Sequence, residues 1–192
     1  MGGIVVIGWG SLLWDPECLA PHVGIDWHRG QGPELPLEFV RVSPKRKNAL
    51  TVVIDGDHGA RCRTSFVPSR RTDIADAVAD LAARERTTAD NIGFVDRTRG
   101  RMHGRSRQVC DAVWAWAEMS AVAGAVWTDL PRNYETVTGR PFTVRHAISY
   151  LRSLESDAAL EAKRYIELAP AEVSTPLRQA LAHEAWWRGV GL

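Results

Sequence analysis

Cysteine is scarce in this sequence, and its spacing excludes two kinds of stabilising site. The chain of 192 residues contains three cysteines, Cys18, Cys62 and Cys110, and no CxxC pair. An odd number of distant thiols indicates neither a disulfide framework nor a cysteine-based zinc site. Because reduced thiols are the usual state in the cytoplasm, we expect a cytoplasmic protein.

An excess of charge of one sign and a long apolar run are also missing. The formal net charge is +1, so no overall field attracts nucleic acid or a membrane surface. The N-terminus has no basic segment before a long apolar one, so no signal peptide is expected. No apolar stretch approaches the ~20 residues of a membrane span. We therefore expect neither a nucleic-acid partner nor a membrane partner.

The chain opens with four β-branched residues at positions 4–7, bounded by glycines, which predict a short buried strand. The strand leads into Gly8-Trp9-Gly10-Ser11-Leu12, called here the glycine loop. Glycine permits a sharp turn and a close approach to a ligand, and successive backbone N–H groups at such a turn can bind an anion. The loop is predicted to be the floor of a substrate-binding site. A plain turn after a first strand is the alternative.

Further strands follow from the composition and alternation of apolar residues. They are predicted at 37–42, 50–54, 60–67, 92–95 and 125–128. In the last third, Thr143 and Thr175 are predicted to cap two helices. Between them, another helix is predicted to begin near Asp157 and to bury Leu160. The helix that begins at Thr175 is predicted to run to Trp186 and Trp187.

Residues 72–86 have the pattern of an amphipathic helix with Thr72 as its N-cap. Its apolar stripe consists of Ile74, Val78 and Leu81. Glu85 continues this stripe, whereas Arg84 lies off it. A carboxylate that faces inward near a helix end is a candidate general acid or base, because burial disfavours the charged form of such a group. The alternative is a salt bridge with Arg84 or Arg86.

Two stretches resemble the γ-glutamylcyclotransferase-like superfamily, including its ChaC-type branch. Gly8-Trp9-Gly10-Ser11-Leu12-Leu13-Trp14 resembles the family's G-[YW]-G-S-L-x-W opening. The run from Gly59 to Pro68, followed by a helix and by Arg84-Glu85-Arg86, is similar to the branch's strand, proline, helix and Arg-Glu-Lys. In that family the matching glutamate is the catalytic base, so the resemblance implies this role for Glu85. It covers roughly residues 4–88.

The resemblance implies an α/β (α+β) fold with a mixed small β-barrel or sheet and flanking helices. We expect a single domain over residues 1–192. Its sheet-containing core would occupy 1–130, and a helical C-terminal extension over 131–192 would act as cover. A monomer or a homodimer is compatible with this expectation.

The implied activity is the release of 5-oxoproline from a γ-glutamyl amine or peptide. The substrate's own α-amino group attacks the γ-carbonyl carbon, while Glu85 takes its proton and later passes a proton to the leaving amine. Backbone N–H groups of Gly10, Ser11 and Leu12 would hold the α-carboxylate or the developing oxyanion. The resemblance implies no cofactor and no metal. Two departures from the family pattern bear on the substrate. Trp9 replaces the commoner tyrosine, and the segment after Arg86 lacks the glycine pair that is typical of glutathione-acting members.

Two other segments offer candidate contacts. Polar residues at the end of a strand in an α/β protein often face a ligand, and the buried strand that begins at Ala125 emerges at Thr128 and Asp129. Asn133 and Tyr134 in the following loop are predicted substrate contacts. Residues 97–107 contain five arginines and form either a basic flap for an acidic ligand or a solvated loop.

Three other functions compete with this one. A Rossmann-type nucleotide site would need a third glycine where Leu13 stands. A hydrolase using Ser11 would need a G-x-S-x-G elbow, which is missing. The strongest rival is a non-catalytic small-molecule binding module, because a fold does not fix a function.

Overall fold

The computed structural model describes residues 2–191. They form two compact units, each assembled from two stretches of chain. Unit 1 comprises the described residues up to Leu35 together with Arg63–Leu130, and unit 2 comprises Pro36–Cys62 together with the described residues from Pro131 onward. One boundary between the units, at 130/131, coincides with the predicted boundary between the sheet-containing core and the helical extension. Residues 36–62, however, belong to the same unit as the C-terminal helices.

The described residues contain both strands and helices, numbered here in chain order. The strands are β1 Gly2–Gly8, β2 Glu34–Ser43, β3 Ala49–Ile54, β4 Ala60–Arg63, β5 Ser65–Pro68, β6 Ile92–Asp96, β7 Arg101–His103 and β8 Val122–Thr128. The α-helices are α1 Ile74–Glu85, α2 Arg107–Met119, α3 Tyr134–Thr138, α4 Val144–Arg152, α5 Ser156–Leu168, α6 Pro176–Ala182 and α7 Ala185–Gly189.

Unit 1 is built on a five-stranded mixed sheet in the order β5-β1-β8-β6-β7. β1 and β8 are parallel neighbours, and the other pairings given for this sheet are antiparallel. Ile4, Val6 and Val126 share one face and pack with the apolar stripe of α1. Side chains alternate along a strand, and α2 packs on β8 and β6 from the opposite face. The predicted mixed sheet with flanking helices is confirmed at this level.

The strands form two open sheets, and nowhere within residues 2–191 do they close into a barrel, so the barrel alternative was wrong. The single strand predicted at 60–67 was also wrong, because it divides at Thr64 into β4 and β5, which belong to different sheets. At this residue the backbone turns to other partners. The Thr64 N–H donates to Pro33 O, and Thr64 O accepts from the Gly32 N–H at 2.9 Å.

Helix α1 begins one residue later than the sequence suggests. Asp73, not Thr72, is the N-cap, and its carboxylate accepts from the backbone N–H of Ala75 at 2.9 Å. Asp is among the strongest N-cap residues because its short side chain reaches the free N–H groups of the first turn. At the other end, Arg86 has φ of 54° and closes the helix.

Unit 2 contains the three-stranded sheet β3-β2-β4 and helices α3 to α7. Helix α5 packs on β3, and the rings of Phe39 and Tyr165 meet edge to face with centroids 6.3 Å apart. Thr143 and Thr175 cap α4 and α6 as predicted. Two details were wrong: Leu160 is 50% exposed, and Trp186 and Trp187 lie in α7, since the preceding helix ends at Ala182.

The buried carboxyl group of Glu38 on β2 should make the stability of the fold depend on pH. Burial raises the pKa of Glu38 above its ordinary value of 4.5, although hydrogen bonds from Thr175 and from the backbone N–H groups of Phe39 and Leu177 partly offset this effect. Because the folded-state pKa is the higher one, the group's contribution to stability is complete below a pH of about 4.5. It is lost as the pH rises through the folded pKa. Urea denaturation should therefore show a free energy of unfolding that falls with pH over this interval, relative to Glu38→Gln.

The carboxyl group of Asp96 titrates at a lower pH than that of Glu38. Burial alone would raise the pKa of Asp96, but hydrogen bonds from Thr98, Arg101 and the Arg99 N–H lower it to about 2. Its stabilising effect is therefore present above a pH of about 3.8 and is lost below it. A difference between the wild type and Glu38→Gln that stays constant from about pH 4 to pH 8 would contradict the assignment to Glu38.

Candidate functional site

The two motifs singled out from the sequence meet within unit 1 through one buried side chain, Arg84. Its side chain is only 4% exposed. One nitrogen, Nη1, donates to Glu85 Oε1 at 2.8 Å, and the other, Nη2, donates to Ser11 Oγ at 3.0 Å and to the backbone carbonyl of Asp15 at 2.7 Å. The planar guanidinium thereby connects the end of α1 to the glycine loop.

Glu85 lies largely inside the unit, with a side chain 14% exposed. Besides Arg84, its Oε1 accepts a hydrogen bond from Thr128 Oγ1 at 3.3 Å. The inward direction predicted for this carboxylate is therefore confirmed, and so is the salt bridge with Arg84 that was the alternative. One guanidinium group, that of Arg84, is hydrogen-bonded to both Glu85 and Ser11. Arg84, expected off the buried stripe, is instead 3% exposed.

The site occupies a favourable edge of the sheet. β1 and β8 run parallel, with Ile7 opposite Trp127, so their carboxyl ends meet at the same edge. The glycine loop leaves the first of these ends, and Thr128 is the last residue of the second. Open α/β sheets bind ligands in the crevice outside the carboxyl ends of parallel strands. The prediction that Thr128 faces the site is consistent with its hydrogen bond to Glu85.

The glycine loop folds into a short 3₁₀ turn over Ser11–Leu13. The N–H of Leu13 donates to Gly10 O at 3.1 Å, and the Asp15 N–H donates to Ser11 O at 2.8 Å. The first N–H groups of any such turn have no acceptor within it, so those of Ser11 and Leu12 point out of its amino end. Trp9 is buried, as is Leu12.

Two side chains pack closely against Gly8. A Cβ atom at this position would lie 2.9 Å from Trp27 Cη2 and 3.0 Å from Leu13 Cδ1. The half-buried ring of Trp27 therefore lies directly over the end of β1. The sequence pattern predicts that a ligand approaches this glycine, whereas in the structure an indole ring and a leucine side chain fill the space.

Asn133 and Tyr134, the two other predicted substrate contacts, belong to unit 2. The side chain of Asn133 is bound to the backbone of Val42, accepting from its N–H at 2.7 Å and donating to its carbonyl at 3.0 Å. Tyr134 is 1% exposed, and its ring meets those of Phe142 and Tyr150 edge to face. Both side chains therefore stabilise the fold of unit 2.

The arginines of residues 97–107 have partners inside unit 1. Arg99 and Arg101 both pair with the buried carboxylate of Asp96, and Arg99 also pairs with Asp73. Arg97 donates to the Val122 carbonyl at 2.8 Å. Arg105 Nε donates to the backbone carbonyl of Asp129 at 2.8 Å, and Arg107 forms an ion pair with Asp111. These contacts favour the solvated-loop interpretation over the basic flap.

Three possible metal ligands meet in unit 2, in the turn between β3 and β4. One ligand atom each of Asp55, Asp57 and His58 lies within 4.8 Å of the others. Arg132 Nη1 lies 3.1 Å from Asp55 Oδ1, 2.8 Å from Asp57 Oδ2 and 3.1 Å from His58 Nδ1. A guanidinium nitrogen thus takes the place where a cation would sit. Burial alone would raise the pKa of Asp55, but His58, the Asp57 N–H and Arg132 together lower it.

Sequence reasoning missed Arg84 and Trp27. Arg84 precedes Glu85 in the sequence, and a salt bridge between the two was considered only as the alternative to an acid–base role for Glu85. No helical spacing indicates that this side chain reaches a loop 73 residues away. For Trp27, the surrounding irregular stretch gave no periodicity from which a direction could be inferred.

The structure describes no helix long and apolar enough to cross a membrane within residues 2–191. Comparison of the chain with family models, with curated proteins and with solved structures finds no match in any of the three. The functional inference therefore rests on the geometry around Glu85 and on the two sequence motifs that meet there.

Proposed function

We propose that this protein is a γ-glutamylcyclotransferase-like enzyme that releases 5-oxoproline from a γ-glutamyl amine or peptide. The observation that carries the proposal is the Arg84 bridge, which joins a largely enclosed carboxylate to the glycine loop at the carboxyl edge of two parallel strands. General acid–base chemistry requires such a carboxylate within reach of the proton that it abstracts, and a substrate held on the glycine loop would lie close to Glu85. Without this connection the two motifs would be a sequence resemblance only.

The reaction needs one acid–base group and a means of holding the substrate. The α-amino nitrogen attacks the γ-carbonyl carbon, and Glu85 accepts the proton that this nitrogen loses. The C–N bond to the leaving amine then breaks, and Glu85 returns the proton to that amine. Because nucleophile and carbonyl belong to one molecule, orientation alone lowers much of the barrier.

The glycine loop provides donors for the negative charge of the substrate. The outward N–H groups of Ser11 and Leu12 suit the α-carboxylate or the oxyanion that develops on the γ-carbonyl oxygen. The Ser11 hydroxyl accepts from Arg84, which leaves its own hydrogen to donate to a ligand. Thr128 and Arg84 both donate to Oε1 of Glu85 and so fix the direction of the carboxylate.

Replacing Glu85 with Gln should abolish turnover while preserving the fold. The amide oxygen of Gln can still accept from Arg84, but the group can no longer exchange a proton. We expect the rate of 5-oxoproline release to fall by about 10²- to 10⁴-fold. The measurement is 5-oxoproline formed from a panel of γ-glutamyl amines and peptides, with the wild type and Glu85→Gln compared at equal concentration.

The control is a carboxylate outside the site. Glu17→Gln changes an acid whose ion pair with the exposed Arg86 measures 3.4 Å, and it should leave turnover within about twofold of the wild type. Binding of γ-glutamyl compounds without any product, unaffected by Glu85→Gln, would support the non-catalytic binding module instead. Equal turnover in the wild type and Glu85→Gln would exclude the role given to Glu85.

A further inference from the structure

We infer that the leaving amine of the substrate carries an aromatic or similarly bulky apolar group that lies against Trp27. This inference rests on the proposed function, because it names the substrate class of the same site. Trp27 belongs to unit 1 and is partly buried against the core beneath α1. Together with Leu13 it covers the end of β1, beside the strand that presents Thr128.

The strand register places Trp27 next to the catalytic carboxylate. Ile7 and Trp127 are partners in the parallel pair, so Gly8 and Thr128 follow one residue further along on adjacent strands. Such strands lie about 4.8 Å apart. Both positions face α1, because Val6 and Val126, two residues earlier, pack in the same core. Over Thr128 lies the carboxylate of Glu85, and over Gly8 lies the ring of Trp27.

This neighbourhood determines which end of the substrate meets the ring. Glu85 must reach both the α-amino nitrogen and the leaving nitrogen, so the scissile bond lies at its carboxylate. The α-carboxylate lies on the N–H groups of the glycine loop. The substituent on the leaving amine then extends from the carboxylate along the neighbouring strand end, where the partly buried ring of Trp27 lies.

The charges around the site favour an uncharged substituent. Arg84 is engaged by Glu85, Ser11 and the Asp15 carbonyl, and Arg86 pairs with Glu17. Both Nη atoms of Arg84 and the guanidinium of Arg86 therefore already have acceptors, whereas the buried Nε of Arg84 has none. A leaving group with its own carboxylate, such as an amino acid or a peptide, would have to displace one of these contacts. An apolar amine gains the ring contact and displaces none of them.

The test uses two amides whose leaving amines differ in the aromatic ring alone. The γ-glutamyl derivatives of phenethylamine and of ethylamine have similar nitrogen basicity, and γ-glutamylglycine supplies the charged comparison. We expect kcat/KM for the phenethylamide to exceed that for the ethylamide by about 10-fold or more. Trp27→Ala should bring this ratio close to 1. Trp27→Phe should keep most of the preference.

Trp114→Ala is the matched control, because Trp114 is another half-buried tryptophan of unit 1 but lies on α2. It should leave the ratio unchanged. Titration of both amides into Glu85→Gln separates the inference from catalysis: tighter binding of the phenethylamide supports it even if no amide yields 5-oxoproline. Turnover without preference for the ring, or a preference for γ-glutamylglycine, would overturn the inference and leave the proposed function intact. Equal binding of both amides to Glu85→Gln would also overturn it.

Discussion

Replacing Arg84 with Met should lower the free energy of unfolding by about 3–5 kcal/mol, because the substitution breaks a buried ion pair. The side chain is almost fully enclosed, so Met of similar length can fill its space. The carboxylate of Glu85 then loses its charged partner, and Ser11 Oγ and the Asp15 carbonyl lose their donor. Chemical denaturation measures the loss.

The same substitution should reduce 5-oxoproline release at least as strongly as Glu85→Gln. Arg84 holds the carboxylate and the glycine loop at a fixed separation, and both must contact one substrate. Arg84→Lys keeps the charge but has one nitrogen instead of a planar fork, so it cannot bind Glu85 and Ser11 together in the same way. We expect Arg84→Lys to fold and to lose turnover mainly through kcat.

A double-mutant cycle separates the cost of leaving the Glu85 carboxylate unpaired from the cost of losing the hydrogen bonds that Arg84 donates to Ser11 and Asp15. If the unpaired carboxylate causes most of the loss, Arg84→Met combined with Glu85→Gln should be more stable than the sum of the two single effects predicts. Arg86→Met is the control, since this neighbouring arginine is 70% exposed and its ion pair with Glu17 is long, at 3.4 Å. It should cost less than about 1 kcal/mol. Equal effects of Arg84→Met and Arg86→Met would contradict the bridge.

The parts of the molecule that the sequence predicts are those set by local periodicity. The spacing of Ile74, Val78 and Leu81 indicates which face of α1 is buried, and all three are buried. The same spacing directs Glu85 inward. Strands at 4–7, 92–95 and 125–128 follow from short apolar runs for the same reason.

The parts that the sequence does not predict depend on partners distant in the chain. Residues 60–67 have one continuous strand pattern, and only the contacts of Thr64 with residues 32–33 divide it between two sheets. Arg84 lies at the border of the apolar stripe, and its length lets it reach the glycine loop. The assignment of residues 36–62 to the unit of the C-terminal helices also follows from long-range pairing, which no local pattern encodes.

Replacing Arg178 with Met should destabilise unit 2 by about 3 kcal/mol, because it removes charge-assisted hydrogen bonds to four backbone carbonyl groups. Helix α5 ends at Leu168 without a glycine cap. Arg178 compensates by donating to the carbonyls of Ala169 at 2.7 Å and Val173 at 3.0 Å, and also to those of Glu167 and Pro170. Burial lowers the pKa of this guanidinium.

Denaturation and amide hydrogen exchange should both report this loss. The last turn of α5 should exchange faster in Arg178→Met, since the carbonyls that end the helix become unsatisfied. Arg164 offers a control on the same helix, being 63% exposed and paired with Glu161 at 3.7 Å. Arg164→Met should change the free energy of unfolding by less than about 0.5 kcal/mol. If the two variants unfold at the same denaturant concentration, Arg178 does not terminate α5, and Pro170 alone must be enough to stop the helix.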